Sequence, residues 1–151
     1  MQYWLMKTEP STFSIDDLKA MPNATEHWDG VRNYQARNFM KAMQKGDKVF
    51  FYHSNCKEPS IVGTAKVVTT AYPDFTAQDP DSNYFDPRSN VAKPIWEMVD
   101  IKFTRKFKRN ISLSTLKAIP ELSDMLLVRK GNRLSITPVT EQHWDLISAL
   151  T

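Results

Sequence analysis

Only four glycines occur in the 151 residues, at positions 30, 46, 63 and 131. Neither a P-loop nor a dinucleotide fingerprint can be assembled from them, which removes the common nucleotide-cofactor folds. Cysteine occurs once, as Cys56. No internal disulfide can form, and a reducing compartment suits such a chain. The three histidines, His27, His53 and His143, are far apart in sequence. With a single thiol they give no metal-ligand spacing, so no metal and no cofactor is expected. Long apolar runs are also missing. The stretch Tyr3–Met6 is far too short for a signal segment or a membrane span, and the expectation is a soluble, cytoplasmic protein with no membrane partner.

Catalytic motifs are equally thin. S-x-x-K occurs at Ser54–Lys57 and again at Ser114–Lys117, without the partner motifs that give the pattern meaning. His53 stands near Cys56 in sequence, but a thiol nucleophile needs a base in space and a third group to orient that base. A turn cysteine beside a strand-end histidine is the simpler reading. An enzyme acting on a nucleotide or nucleobase through Cys56, His53 or Lys7 is the alternative.

Charge is present and unevenly spread. The formal net charge is +3. Lys102 to Arg133 holds nine basic and two acidic residues, a local +7 that leaves −4 for the rest. Such asymmetry suits a polyanionic partner, while a solvated basic face explains it as well. Lys102, Lys106, Lys108, Arg109, Arg129, Lys130 and Arg133 are the candidate phosphate contacts.

Pattern predicts strands at Tyr3–Lys7, Lys48–His53, Ile61–Tyr72, Trp96–Phe107 and Leu134–Val139. Short helices are predicted after Ser14, after Asp29 or Asn33, over Leu113–Ile119 and after Thr140. Ala36, Phe39, Met40 and Met43 form one apolar stripe, with Gly46 expected as the left-handed helix terminator. Trp144, Ile147 and Leu150 should share a face of the closing helix. Pro73–Pro94 has little pattern, and a loop of that length within a compact domain tends to be functional. Gly63 inside a strand marks a bulge or a close approach to the backbone. There is no regular βαβ alternation, so an α+β fold with a small mixed barrel or curled sheet is expected, in one domain over 1–151.

Four tryptophans, five tyrosines and eight phenylalanines are many for this length, and most must be core. Trp28 and Trp96 stand at loop–element junctions, where aromatic side chains line clefts.

Five blocks carry a resemblance. Y-W-L-M-K-T-E-P at Tyr3–Pro10, W-D-G-V-R-N-Y-Q-A-R-N-F-M at Trp28–Met40, F-F-Y-H-S-N-C at Phe50–Cys56, A-Y-P-D at Ala71–Asp74 and G-N-R-L-S at Gly131–Ser135 together resemble the EVE-domain family. The blocks span nearly the whole chain. The resemblance implies a PUA-like pseudobarrel of five or six mixed strands with flanking short helices, and kinship with modules that hold a nucleic-acid base in a pocket. It implies a non-catalytic nucleic-acid-binding module that holds a modified base, with modified cytosine in DNA first and modified tRNA or rRNA as the alternative. Matching by motif places a base pocket at Lys7, Thr8, Trp28, Arg32, Asn33, Tyr34, Arg37, Asn38, Ser54 and Asn55, with Trp96 and the Tyr84–Phe85 loop as walls. Asparagine suits base-edge contacts because it offers a donor and an acceptor in one plane. Oligomeric state has no sequence signal.

Overall fold

The computed structural model describes residues 1–151. In chain order it contains β1 (Tyr3–Thr8), α1 (Ile15–Ala20), β2 (Thr25–His27), α2 (Tyr34–Ala42), β3 (Lys48–His53), β4 (Ser60–Val67), β5 (Tyr72–Pro73), β6 (Glu97–Met98), β7 (Asp100–Ser112), α3 (Leu113–Lys117), β8 (Ile136–Val139) and α4 (Glu141–Ser148). Six strands form one curled mixed sheet in the order β2-β7-β4-β3-β1-β8, and β5 and β6 form a separate two-stranded ribbon. Within the large sheet β1 and β3 run parallel, and the other neighbours are antiparallel.

The sheet is buried on both faces, which is why Val49–Tyr52 reads as apolar without alternation. Trp4, Met6, Val49 and Phe51 point to one face, where Ile15 and Leu18 of α1 and Ala36 and Met40 of α2 close the core. Leu5, Phe50 and Tyr52 point to the other, against Leu116 of α3 and Trp144 and Ile147 of α4. The period of two along each strand therefore feeds two cores from one sheet.

Local chemistry sets the helix starts. Ser14 and Asp17 make a reciprocal capping box on α1, Asn33 caps α2, Ser112 caps α3 and Thr140 caps α4. Two helix ends differ from expectation. α2 stops at Ala42 with Met43 extended, and Gly46 (φ +92°) turns the chain three residues later. Leu150 lies beyond α4 and is half exposed. The strand expected to run from Ile61 to Tyr72 ends at Val67, and β2, only three residues long, had no sequence signal.

Phe103 packs into one core and Phe107 into the other, although an unbroken strand would put both on the same face. The β4–β7 register slips between Thr64 and Ala65, so Thr104 is passed over and the alternation inverts. Gly63 sits between this slip and a second one nearer Ile61.

Candidate nucleic-acid interface

Two adjoining hollows open where the C-terminal ends of β1 and β3 meet the segment that follows β2. The smaller, about 240 Å³, is lined by Thr8, Thr12, Phe13, Glu26, His27, Trp28, Asp29 and Tyr84. The larger, about 580 Å³, runs past Lys7, Thr8, Gly30, Arg32 and Ser54 to Arg133 and Ser135. They share Thr8, Thr12, Trp28, Asp29 and Tyr84, so they form one continuous cleft.

Trp28 is only 8% exposed and packs edge-on against Phe13 and Phe51, at centroid distances of 6.4 and 5.6 Å. It is therefore both core and cleft wall. Trp4 and Trp96 spend their indole N–H groups on Asp47 and Asp86. Trp28 has no protein acceptor, and no fully buried side-chain polar atom lacks a partner. Its N–H therefore keeps some accessible surface and is uncommitted within the protein.

Tyr84 comes from the long loop and is held there by Arg32. The Arg32 guanidinium donates to the Tyr84 carbonyl through Nε (3.1 Å) and Nη2 (2.7 Å), and to Asp74 Oδ2 through Nη1 (3.0 Å). The Tyr84 ring lies on Gly30. A Cβ at that position, where φ is +78°, would stand 2.7 Å from the ring. Asp74 is fully buried and also accepts from the Gly30 and Thr76 N–H groups. Burial pushes its carboxyl up, yet hydrogen bonds from Thr76, Gly30 and Arg32 outweigh that and hold it below the ordinary range. The same loop is pinned again at Asp86, which accepts from Trp96 Nε1 and from Arg88. The patternless segment is thus an ordered wall with two aspartate anchors.

Lys7 enters the cleft beside the Tyr52 ring, 6.0 Å from its centroid. Burial lowers its ammonium pKa, and no carboxylate pairs with it. Arg133 is exposed at the rim. Asp29 was not singled out by sequence, because an aspartate before glycine reads as turn chemistry. It lines both hollows, and burial pushes its carboxyl up from the ordinary value.

Of the motif-matched residues, the structure brings Lys7, Thr8, Trp28, Arg32 and Ser54 together. Tyr84, expected as a wall, lines both hollows, and the others lie elsewhere. Asn33 is exposed, and its Oδ1 accepts from the Ala36 N–H as the α2 cap. Asn33→Ala is expected to cost about 1 kcal/mol of stability in a denaturant titration, and Asn33→Asp to recover most of it. Neither change should alter ligand affinity. Tyr34 stacks on Trp96 at 4.9 Å, and Arg37 covers Tyr34 while bonding Asn38 and the Ile95 carbonyl. These four residues form a plate outside the cleft. Trp96 instead borders a separate hollow of about 290 Å³, which shares only Arg32 and Tyr84 with the cleft. Asn55 adopts a left-handed conformation (φ +51°) and donates to Glu9. What approaches Gly63 is the Arg105 carbonyl and Ile15, not a ligand path.

The basic residues also divide. Lys106 pairs with Asp16 at 2.8 Å. Lys108 and Arg109, with Arg105 and Lys106, border a hollow near the C-terminus that shares no residue with the cleft. β2 covers only residues 100–102 of β7, so these charges decorate a largely unpaired strand edge, where they oppose edge-to-edge pairing. Arg129 and Lys130 are exposed on the turn that leads to Arg133, and Lys102 is half-buried. The His53–Cys56 pairing does not form a dyad. His53 Nε2 accepts from the Ile15 N–H, and the Cys56 thiol points to the His53 carbonyl. No group of three or more His, Cys, Asp or Glu side chains comes together in a way that could hold a metal ion.

A curled six-stranded barrel fragment with an aromatic, polar-rimmed cleft at its strand ends defines the PUA-like class of domain. The EVE domain model matches residues 2–150, and the chain belongs to that family. Human thymocyte nuclear protein 1 is 46% identical over 98% of this chain and 73% of its own length. The crystal structure of human THYN1 in complex with DNA containing 5-methylcytosine superposes with a TM-score of 0.94 at 46% identity, covering 99% of this chain and 97% of that one. A Pseudomonas syringae protein of known structure is 52% identical, with a TM-score of 0.93 and 98% of each chain covered. None of these names carries a catalytic activity. They also correct the cytoplasmic expectation, since the curated relatives are named as nuclear proteins. A lone reduced cysteine could not have told the two apart, because cytosol and nucleus both keep thiols reduced. No helix is long and apolar enough to cross a membrane.

Proposed function

We propose that this chain is a non-catalytic DNA-binding module that takes a single modified cytosine into the Trp28–Tyr84 cleft. The observation that carries the reading is the cleft itself, with an aromatic floor, an uncommitted indole N–H and two unpaired cations, Lys7 and Arg133. It is supported by the human relative's structure with 5-methylcytosine DNA. Base contacts fall to Thr8, Trp28, Ser54 and Tyr84, with Arg32 fixing the wall. Lys7 and Arg133 meet the neighbouring phosphates, and Arg129 and Lys130 extend that contact along the backbone.

Energies favour this division of labour. Extruding a base costs a few kcal/mol. Stacking on an aromatic side chain returns about 1–3 kcal/mol. Base contacts thus roughly offset extrusion, and phosphate contacts supply the net affinity, which should fall steeply with salt. One buried methyl adds about 0.8 kcal/mol, about fourfold in affinity. A hydroxymethyl group could add a hydrogen bond and a larger preference.

The test is a salt-controlled titration of matched plain, methylated and hydroxymethylated oligonucleotides, in DNA and RNA. Methylated DNA should bind more tightly than plain DNA. Equal affinity for all would overturn the reading, and preference for RNA would move it to the 2′-hydroxyl-bearing class. Trp28 is too buried to serve as a clean probe, since its truncation would report folding as much as binding. Tyr84 is 40% exposed. Tyr84→Ala should weaken modified-DNA binding about tenfold, the value of one lost stack, with little change in melting temperature.

A further inference from the structure

We infer that Asp29 is the residue that selects cytosine over thymine, by accepting a hydrogen bond from the exocyclic amine of the bound base. The inference rests on the reading of the cleft as a modified-cytosine site. 5-Methylcytosine and thymine carry the same C5 methyl, so shape and stacking alone cannot separate them. They differ on the pairing edge: at C4 cytosine presents an amine donor and thymine a carbonyl acceptor, and at N3 cytosine accepts where thymine donates. Reading the C4 difference needs a group in the cleft that can only accept.

Three carboxylates border the cleft: Glu9, Glu26 and Asp29. Glu9 accepts from the Asn55 side chain, and Glu26 accepts from the His27 N–H and stands 2.8 Å from His27 Nδ1. Asp29 alone has no donor from another residue within hydrogen-bond distance. The nearest ring nitrogen, His27 Nε2, is 3.9 Å away. It is also the one carboxylate that lines both parts of the cleft, and it follows Trp28 directly. The hydroxyls of Thr8 and Ser54 already donate to the Phe13 and Thr8 carbonyls. The remaining free groups, the Trp28 N–H, Lys7 and Arg133, are donors. They would serve phosphate, the O2 acceptor that both bases share, or cytosine N3, an acceptor where thymine has an N–H donor; none of them can pair with the C4 amine.

The side chain of Asp29 keeps 31% of its surface, so an entering base strips part of its water. An amine replaces those lost hydrogen bonds. A thymine carbonyl would set acceptor against acceptor and leave the carboxylate unsatisfied, the kind of mismatch that gives large discrimination.

The experiment uses single-stranded oligonucleotides, so that no pairing partner biases extrusion. One central position carries 5-methylcytosine, cytosine, thymine, or 5-methylpyrimidin-2-one, which lacks the amine. Binding is measured by anisotropy at fixed salt for the wild-type protein and for Asp29→Asn, whose side chain can both donate and accept. Wild type should bind 5-methylcytosine about tenfold more tightly than thymine or the pyrimidinone, equivalent to about 1.4 kcal/mol. Asp29→Asn should compress the 5-methylcytosine-to-thymine ratio to within about threefold, since its amide can satisfy either C4 group. An unchanged ratio in the variant, or a wild type indifferent to the amine while still preferring methylated to plain cytosine, would overturn the role of Asp29 and spare the cleft. A wild type with no preference for modified cytosine in any arm would overturn both. The wild-type comparison with the pyrimidinone needs no variant to fold.

Discussion

Arg32→Ala is expected to destabilise the protein by roughly 3 kcal/mol and to abolish base-specific binding, because it breaks a buried ion pair. Asp74 is wholly buried and its partner guanidinium is mostly so, at 0% and 23% side-chain exposure. Removing the cation leaves an anion in the interior. Three donors remain to it, the Gly30 and Thr76 N–H groups and the Thr76 hydroxyl, which keeps the cost at the low end of what breaking such pairs does. The functional loss exceeds the stability loss. The same guanidinium holds the Tyr84 carbonyl twice, so without it the loop wall detaches from Gly30 while the rest of the sheet stays folded. Asp74 has a depressed carboxyl pKa, and its stabilisation is complete above the unfolded value of about 3.9 and fades as the pH falls through the folded value. The stability gap between wild type and Arg32→Ala should therefore be full at pH 7 and narrow below about pH 4. Chemical denaturation at both pH values measures it. A gap that stays constant would mean that Arg32 acts through the loop alone.

How much of this was legible follows from what kind of interaction places each residue. The caps of α1 and α4 could be read from Ser14 and Thr140, and that of α2 narrowed to Asp29 or Asn33, because a cap is decided within four residues. The central position of β3 was legible in Val49–Tyr52, because burial on both faces writes a continuous apolar run. β2 was not, since Thr25–His27 has no alternation of its own and is a strand only because β7 offers an edge. The cleft was half legible. Trp28 stood out as an aromatic beside a turn, and Lys7, Thr8 and Ser54 came with the family blocks. Asn33, Arg37 and Asn38 came with the same blocks, yet the Asn33 and Asn38 oxygens and the Arg37 guanidinium are engaged in local bonds outside the cleft, which only geometry shows. Asp29 is the converse case: its type and spacing announce a turn, and its value lies in the partners it does not have. The Tyr84 wall came with the resemblance but its anchoring did not: Asp74 and Tyr84 bond Arg32 from 42 and 52 residues away in sequence, a pairing that no periodicity encodes.

Gly63→Ala is expected to be the most damaging small substitution in the sheet, with loss of soluble folded protein or a stability decrease of at least about 3 kcal/mol, the upper end of ordinary overpacking. The reason is contact, not conformation, since Gly63 needs no left-handed backbone. A Cβ there would stand 2.2 Å from the Arg105 carbonyl oxygen and 2.3 Å from Ile15 Cδ1. Ile15 could change rotamer, but the carbonyl belongs to β7 and cannot swing away without opening the ladder to β4. Gly63 lies between two register slips, and those slips invert the facing of β7 so that Phe103 enters one core and Phe107 the other. Forcing the strands apart at this point therefore loosens both cores together. Ile15 also begins α1, whose first N–H is accepted by His53 at the end of β3. The disturbance thus reaches the strand end beside Ser54, at the margin of the cleft. Gly63→Ala combined with Ile15→Val should recover only a small part of the loss, because one of the two clashes is with backbone. Full recovery in the double variant, read by thermal unfolding, would show that the side-chain clash dominates and that β7 has room to move.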